Sequence, residues 1–195
     1  MESFSSYSDA EIWNLFRGGS DKAYEYIYHR HSVELFSYGL YVVNNRPLVE
    51  DCMHDLFVYL FQHRASLGET NAIKYYLFKS LRRRILEAVE TRTRQHNRGN
   101  EFTNTLPETA SSPEEKMIEA ETSSSRNKHL MEAVTALPPR QREAIFLLYF
   151  SNLDYPETAE IMGLNIRTVY NQVHTAIQTL RKQLSHASLL PVFLE

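Results

Sequence analysis

The stretch LDYPETAEIMGLNIRTVYNQVHTAIQTLRKQL, Leu153 to Leu184, constrains the chain more than any other. It reads as a helix, a short turn and a longer second helix. Asp154 can cap the first helix, with Glu157 three residues on completing a capping box. Ala159 is small where two helices must cross closely. Gly163 ends the first helix, since a left-handed C-cap suits glycine. Asn165 can then cap the second helix. Ile166, Val169, Val173, Ala176, Ile177 and Leu180 recur at helical spacing and predict one buried stripe. The opposite face carries Arg167, Tyr170, Asn171, His174, Thr175 and Gln178, side chains suited to base edges or phosphates. This is the layout of a DNA-reading helix-turn-helix.

Composition bounds the rest. The chain has 195 residues, 43% of them hydrophobic, enough for one medium domain or two small ones. No apolar run is long enough to span a bilayer, so no membrane insertion is expected. The N-terminus, MESFSSYSDAEIW, lacks the basic-then-apolar pattern of a secretion signal. The one cysteine, Cys52, excludes an internal disulfide framework and fits a reducing, cytoplasmic setting. A formal net charge of −3 argues against indiscriminate nucleic-acid binding, although individual segments differ strongly in charge.

The expected organisation is all-α, with two small helical domains joined by a flexible acidic linker. A first domain covers residues 1–98 and a second covers 126–184. The linker, residues 99–125, holds Glu101, Glu108, Glu114, Glu115, Glu119 and Glu121 against Lys116, and its Ser, Thr and Pro content leaves little to bury. A short helix is expected within it from Pro113 to Glu121. Residues 185–195 form an apolar tail, expected to pack on the second domain.

Two helices stand out in the first domain. In VEDCMHDLFVYLFQHR, Val49, Cys52, Met53, Leu56, Tyr59 and Leu60 share one face, while Glu50, Asp51, His54 and Asp55 populate the other. After the loop RASLGETN comes IKYYLFKSLRRRILEAVETRTR. Its apolar side is Ile73, Leu77, Leu81, Ile85, Leu86 and Val89, with Phe78 a further core candidate. Lys79, Arg82, Arg83, Arg84, Arg92, Arg94 and Arg98 make this segment basic against Glu87 and Glu90. Arginines neutralise phosphates, and nearby aromatics such as Tyr75 and Tyr76 can stack on unpaired bases.

Other chemistries find little support. His29 and His31 form an H-x-H pair and Cys52 precedes His54 by two residues, yet no set of four converging ligands is visible and no metal or other cofactor is expected. No paired-carboxylate, nucleophile-elbow or Walker pattern points to an enzyme.

Three segments carry a family resemblance. VEDCMHDLFVYLF resembles an ED-x-x-Q-D-x-F-x-x-L-[WF] helix, and YYLFKSLRRRILEAVE resembles a W/Y-L-F/Y-x-x-x-R-N-x-x-x-D-x-x-R helix. LPPRQREAIFLLYFSNLDYPETAEIMGLNIRTVYNQVHTAIQTLRKQL resembles a C-terminal sigma domain almost throughout. In this order they resemble an RNA polymerase sigma factor of the extracytoplasmic-function (ECF) type.

The resemblance implies roles residue by residue. Glu50, Asp51, His54 and Asp55 would dock on the clamp coiled coil of the polymerase β′ subunit. Ala65 to Asn71 would supply the pocket for a base flipped from the minus-ten element, with Lys74, Tyr75, Lys79, Arg82 and Arg83 holding the strand. In the second domain, Arg167 and Thr168 would hold phosphate at the minus-thirty-five element. Tyr170, Asn171, His174 and Thr175 would face base edges, Asn171 being able to bond adenine in bidentate fashion. The implied partners are core polymerase (β′ clamp coiled coil and β flap), promoter DNA and a membrane-anchored anti-sigma factor. Departures from the pattern are His54 for glutamine, Arg83 for asparagine, Glu87 for aspartate and Glu90 for arginine; Gln172 and Thr175 stand where the family is often basic. Weak free-standing promoter binding is the expected consequence. The alternative is a stand-alone helix-turn-helix regulator without polymerase docking.

Overall fold

The structure, a computed structural model, describes residues 4–99 and 125–185, all its regular elements being helical. The chain divides into two compact units, Met1–Pro107 and Glu108–Glu195. The expected helix at Pro113–Glu121 and the tail from residue 186 lie outside the described residues, as does nearly all of the expected linker.

The first unit opens with a 3-10 turn, Phe4–Ser6, and helix α1, Asp9–Arg17. Ser8 and Glu11 form a capping box, each reaching the other's backbone N–H, which sets the start of α1. Gly19, at φ +100°, turns the chain into α2, Asp21–Val42, capped by Ser20. Asn45 caps α3, Arg46–His63, and Pro47 sits in its first turn, where its missing N–H has no helical partner to lose. A 3-10 turn, Arg64–Ser66, and a loop lead to α4, Ile73–Gly99. The start of α4 is tied down from α1: the Ile73 N–H donates to Asp9 Oδ2 at 2.8 Å.

Helices α2, α3 and α4 pack against one another, with α1 laid across α2 and α4. Trp13, Phe16, Ile27, Leu35, Tyr38, Leu56, Leu60, Leu77, Phe78, Leu81 and Ile85 fill the centre and are fully buried. Each such side chain contributes about 1.5–3 kcal/mol of transfer free energy. Two positions depart from the helical pattern. Tyr59 is 38% exposed and Phe57 takes the core place beside Leu56, while Leu86 is 38% exposed. The Arg84 guanidinium lies over the Tyr59 ring, 4.9 Å from its centroid, which keeps that ring at the α3–α4 surface.

The second unit comprises α5, Ser125–Thr135; α6, Pro139–Ile145; a π-helical turn, Phe146–Phe150; α7, Tyr155–Met162; and α8, Ile166–Ser185. The π-turn widens the end of α6. Ser151 N–H reaches Phe146 O at 3.0 Å, Asn152 adopts φ +50°, and Leu153 N–H returns to Leu147 O at 3.0 Å. Asparagine tolerates this left-handed conformation better than other side chains. The reversal buries Leu153 and delivers Asp154 to the start of α7. The core gathers Val134, Leu137, Ala144, Ile145, Leu147, Ala159, Ile161, Val169, Val173, Ala176 and Leu180.

Candidate nucleic-acid interface

The helix-turn-helix is built by local rules. Asp154 Oδ1 accepts from the Glu157 N–H at 2.7 Å, and Glu157 Oε2 accepts from the Asp154 N–H at 3.0 Å. Gly163 stands at φ +64°, ψ +37°, and ends α7. The Leu164 N–H then donates to Ala159 O at 2.9 Å, closing the turn. Asn165 Oδ1 accepts both the Thr168 N–H, at 2.7 Å, and the Thr168 hydroxyl, at 2.8 Å. Both Thr168 donors thus serve the cap, so this residue sets the start of α8 rather than presenting a donor outward.

The stripe that seats α8 is Val169, Val173, Ala176, Leu180 and Leu184. Ile177 is half-buried, and Ile166 departs from the expectation: it is 44% exposed. The first residue of a helix projects beyond the turn of its neighbour, and among the described residues Ile166 stays largely uncovered. On the outer face, Arg167, Tyr170, Asn171, His174, Thr175 and Gln178 are all exposed. They are partly organised among themselves. His174 Nε2 and Gln178 Nε2 lie 2.9 Å apart, one turn from each other, and the Thr175 hydroxyl donates to Asn171 O at 2.9 Å.

Tyr155 escaped the sequence reading. Its ring lies face to face with that of Tyr170, centroids 3.9 Å apart and planes 11° apart. Burial, helped by the neighbouring Tyr149 and Tyr170 phenols, pushes the Tyr155 hydroxyl's pKa above its ordinary value. No sequence period shows such a contact, because it joins the first residue of one helix to the second turn of another.

In the first unit, α3 turns Glu50, Asp51, His54 and Asp55 outward, all exposed. Glu50 accepts from Arg46 at 2.9 Å along the helix, and Asp51 lies 3.8 Å from Arg92 on α4. At such exposure each pair contributes about 0–1 kcal/mol and leaves the carboxylates accessible. The other face of α3 holds Cys52, whose thiol pKa is raised by burial and then by Asp55 and Asp51.

The basic face of α4 is less uniform than its sequence suggests. Lys79 and Arg83 are exposed, whereas Lys74, Tyr75 and Arg82 are half-buried. Lys74 Nζ sits 2.6 Å from Glu34 on α2 and serves as an interhelical tie. Lys79 donates to the Tyr75 hydroxyl at 3.0 Å and lies over its ring, 5.4 Å from the centroid. Arg83 has Glu87 one turn away, at 3.7 Å. Phe78 is wholly core, and Tyr76 packs its ring 5.0 Å from that of Trp13.

The loop Ala65–Asn71 before α4 is held at several points. The Trp13 indole N–H donates to Gly68 O at 2.8 Å, Arg17 reaches Glu69 at 3.5 Å, and Leu67 is buried. Arg64, at the loop's base, donates to Asp21 at 2.9 Å and lies over the Phe61 ring. A loop pinned at its backbone presents a preset rim next to the α4 cations. As for metal ligation, His31 is buried and His29 exposed, and among the described residues no three His, Cys, Asp or Glu side chains gather as a ligand set. No helix among them is long and apolar enough to cross a membrane.

Comparison with known proteins finds similarity in both units. Residues 128–180 match the family model described as Sigma-70, region 4. Over 82 residues, 40% of this chain and 46% of the relative, the chain is 30% identical to the RNA polymerase sigma-E factor of Streptomyces antibioticus. It is 27% identical to the ECF RNA polymerase sigma factor BldN of Streptomyces coelicolor over 186 residues, 89% of this chain and 65% of that one. It therefore spans less than two thirds of either relative's length. Among solved structures, the sigma factor RpoE from Bartonella quintana, in complex with the anti-sigma factor NepR, superposes with TM-score 0.57 at 25% identity, covering 77% of this chain and 89% of that one. CnrH, in complex with the cytosolic domain of CnrY, shares the fold with TM-score 0.59 at 16% identity, covering 92% of this chain and 99% of that one. Residues 128–180 thus form a Sigma-70 region 4 domain, and over both units the chain is similar to RNA polymerase sigma factors, among them one of the ECF type.

Proposed function

We propose that this protein binds core RNA polymerase in the cytoplasm and directs it to a restricted promoter set, without catalysing a reaction itself. The carrying observation is the division of labour on α3. Its apolar face builds the first unit's core while Glu50, Asp51, His54 and Asp55 stay on the surface as an acidic docking face. The β′ clamp coiled coil is the proposed partner of this face, with the β flap as a second contact. The pinned loop 65–71 would receive a flipped minus-ten base, flanked by Lys79, Arg82 and Arg83. The outer face of α8 would read the minus-thirty-five element, with Arg167 on phosphate. The RpoE relative is held by an anti-sigma factor, and a membrane-anchored protein of that kind is the proposed regulator here.

Run-off transcription with core polymerase and the full chain tests the reading. The wild type should co-purify with core and yield promoter-specific transcripts. Asp55→Lys should abolish both while leaving the helical circular dichroism unchanged. It is a cleaner variant than Asp51→Lys, because Asp51 also faces Arg92. A wild-type chain that neither binds core nor initiates would refute the proposal.

A further inference from the structure

Among the described residues, the start of α8 carries an apolar facet that stays largely exposed. Ile166 is 44% exposed and Tyr170 51% exposed. They stand one turn apart, so their side chains share a face of the helix. Tyr155 backs this facet from α7, its ring parallel to that of Tyr170 at 3.9 Å. The stack restricts the Tyr170 side chain before any ligand arrives, so less freedom is lost on binding. The Asp154–Glu157 capping box and the Gly163 turn hold Tyr155 in place relative to α8.

Its location suggests what such a facet would touch. In a helix-turn-helix, the first turns of the second helix meet base edges in the major groove. Donors and acceptors line that groove, and its apolar group is the C5-methyl of thymine. The isoleucine side chain and the face of the ordered tyrosine ring complement a methyl, while the Tyr170 hydroxyl stays available for a polar contact at the ring's end. Resting on the promoter-reading role of α8 proposed above, we infer that Ile166 and Tyr170 read thymine methyl groups in the minus-thirty-five element, with Tyr155 as the positioning residue for Tyr170. Asn171 and Arg167 supply polar contacts from the same face, so the helix reads by methyl contact and hydrogen bonding together.

Uracil, which lacks only the methyl, provides the test. Holoenzyme assembled from core polymerase and the full chain first selects upstream sequences from randomised duplex DNA. Each thymine of the selected element is then replaced by uracil. At one or two positions the wild type should bind the uracil duplex about fourfold more weakly, the worth of one buried methyl. Ile166→Ala and Tyr170→Ala should bind both duplexes equally. Tyr155→Ala should diminish the preference, and Tyr155→Phe, which keeps the stacked ring, should restore it. Equal wild-type binding of thymine and uracil at every position would overturn the inference and leave the promoter-reading role standing. So would retention of the preference by both alanine variants, including the case in which they weaken core binding instead and mark the facet as a protein contact. Failure to enrich any upstream sequence would remove the promoter-reading role and the inference together.

Discussion

Single residues carry much of the precision of this fold. Gly163 is a clear case: its φ of +64° is costly for an L side chain, yet a Cβ there would meet nothing within 4 Å. The penalty for Gly163→Ala is therefore one of backbone conformation alone, about 1–2 kcal/mol. Urea denaturation of the full chain followed by circular dichroism should show it, with Gly163→Asn losing less. His31 makes a different demand. It is buried with Nδ1 unpartnered, and its pKa is lowered chiefly by burial and then by Arg30, with Lys74 acting the same way and Asp9 and Glu34 opposing. Below the ordinary histidine value the unfolded chain takes up a proton that the folded chain resists. Stability is thus complete above about pH 6.5 and declines as the pH falls through that value toward the lower folded one. The wild-type urea midpoint should drop between about pH 7.5 and about pH 5.5, on either side of the ordinary value. His31→Gln should flatten that dependence, and an unchanged slope would count against the assignment.

At the scale of elements, the close passage of α2 over α3 depends on Gly39. A Cβ added there would lie 2.5 Å from Val49 Cγ1, and neither helix can shift without disturbing the packing of both on α4. Gly39→Ala should destabilise the first unit by about 1–3 kcal/mol, the usual cost of overpacking. Combined with Val49→Ala, it should cost less than the sum of the two single changes, since the smaller residue admits the new methyl. Additive losses in that double-mutant cycle would show the contact to be unimportant. These elements also show what sequence can and cannot reveal. The caps of α7 and α8 are legible because Asp154–Glu157 and Asn165–Thr168 act within a single turn. The acidic face of α3 is legible because helical spacing separates it from Leu56 and Leu60. The same spacing places Ile166, Tyr59 and Leu86 in buried stripes, yet burial requires a facing neighbour, which periodicity does not contain. The Lys74–Glu34 tie and the Tyr155–Tyr170 stack join residues of different helices and become visible only with the crossings in place.

At the scale of the whole molecule, two units with separate cores need not lose structure together, and a single stability value does not describe such a chain. Val173→Ala, which removes buried atoms from the second unit, should lower the part of the circular-dichroism transition belonging to that unit. The chain contains one tryptophan, Trp13, fully buried in the first unit with its N–H on Gly68 of the loop before α4. Indole emission is therefore a reporter confined to one half of the protein, and its midpoint should not move in Val173→Ala. A shift of equal size in both signals would mean that the units unfold as one. The same placement leaves the proposed base-receiving loop carrying its own label, because any rearrangement that breaks the bond to Gly68 must change the surroundings of this one fluorophore. Entry of a base from single-stranded promoter DNA into the rim could then be timed by intrinsic fluorescence, with no dye attached to protein or DNA.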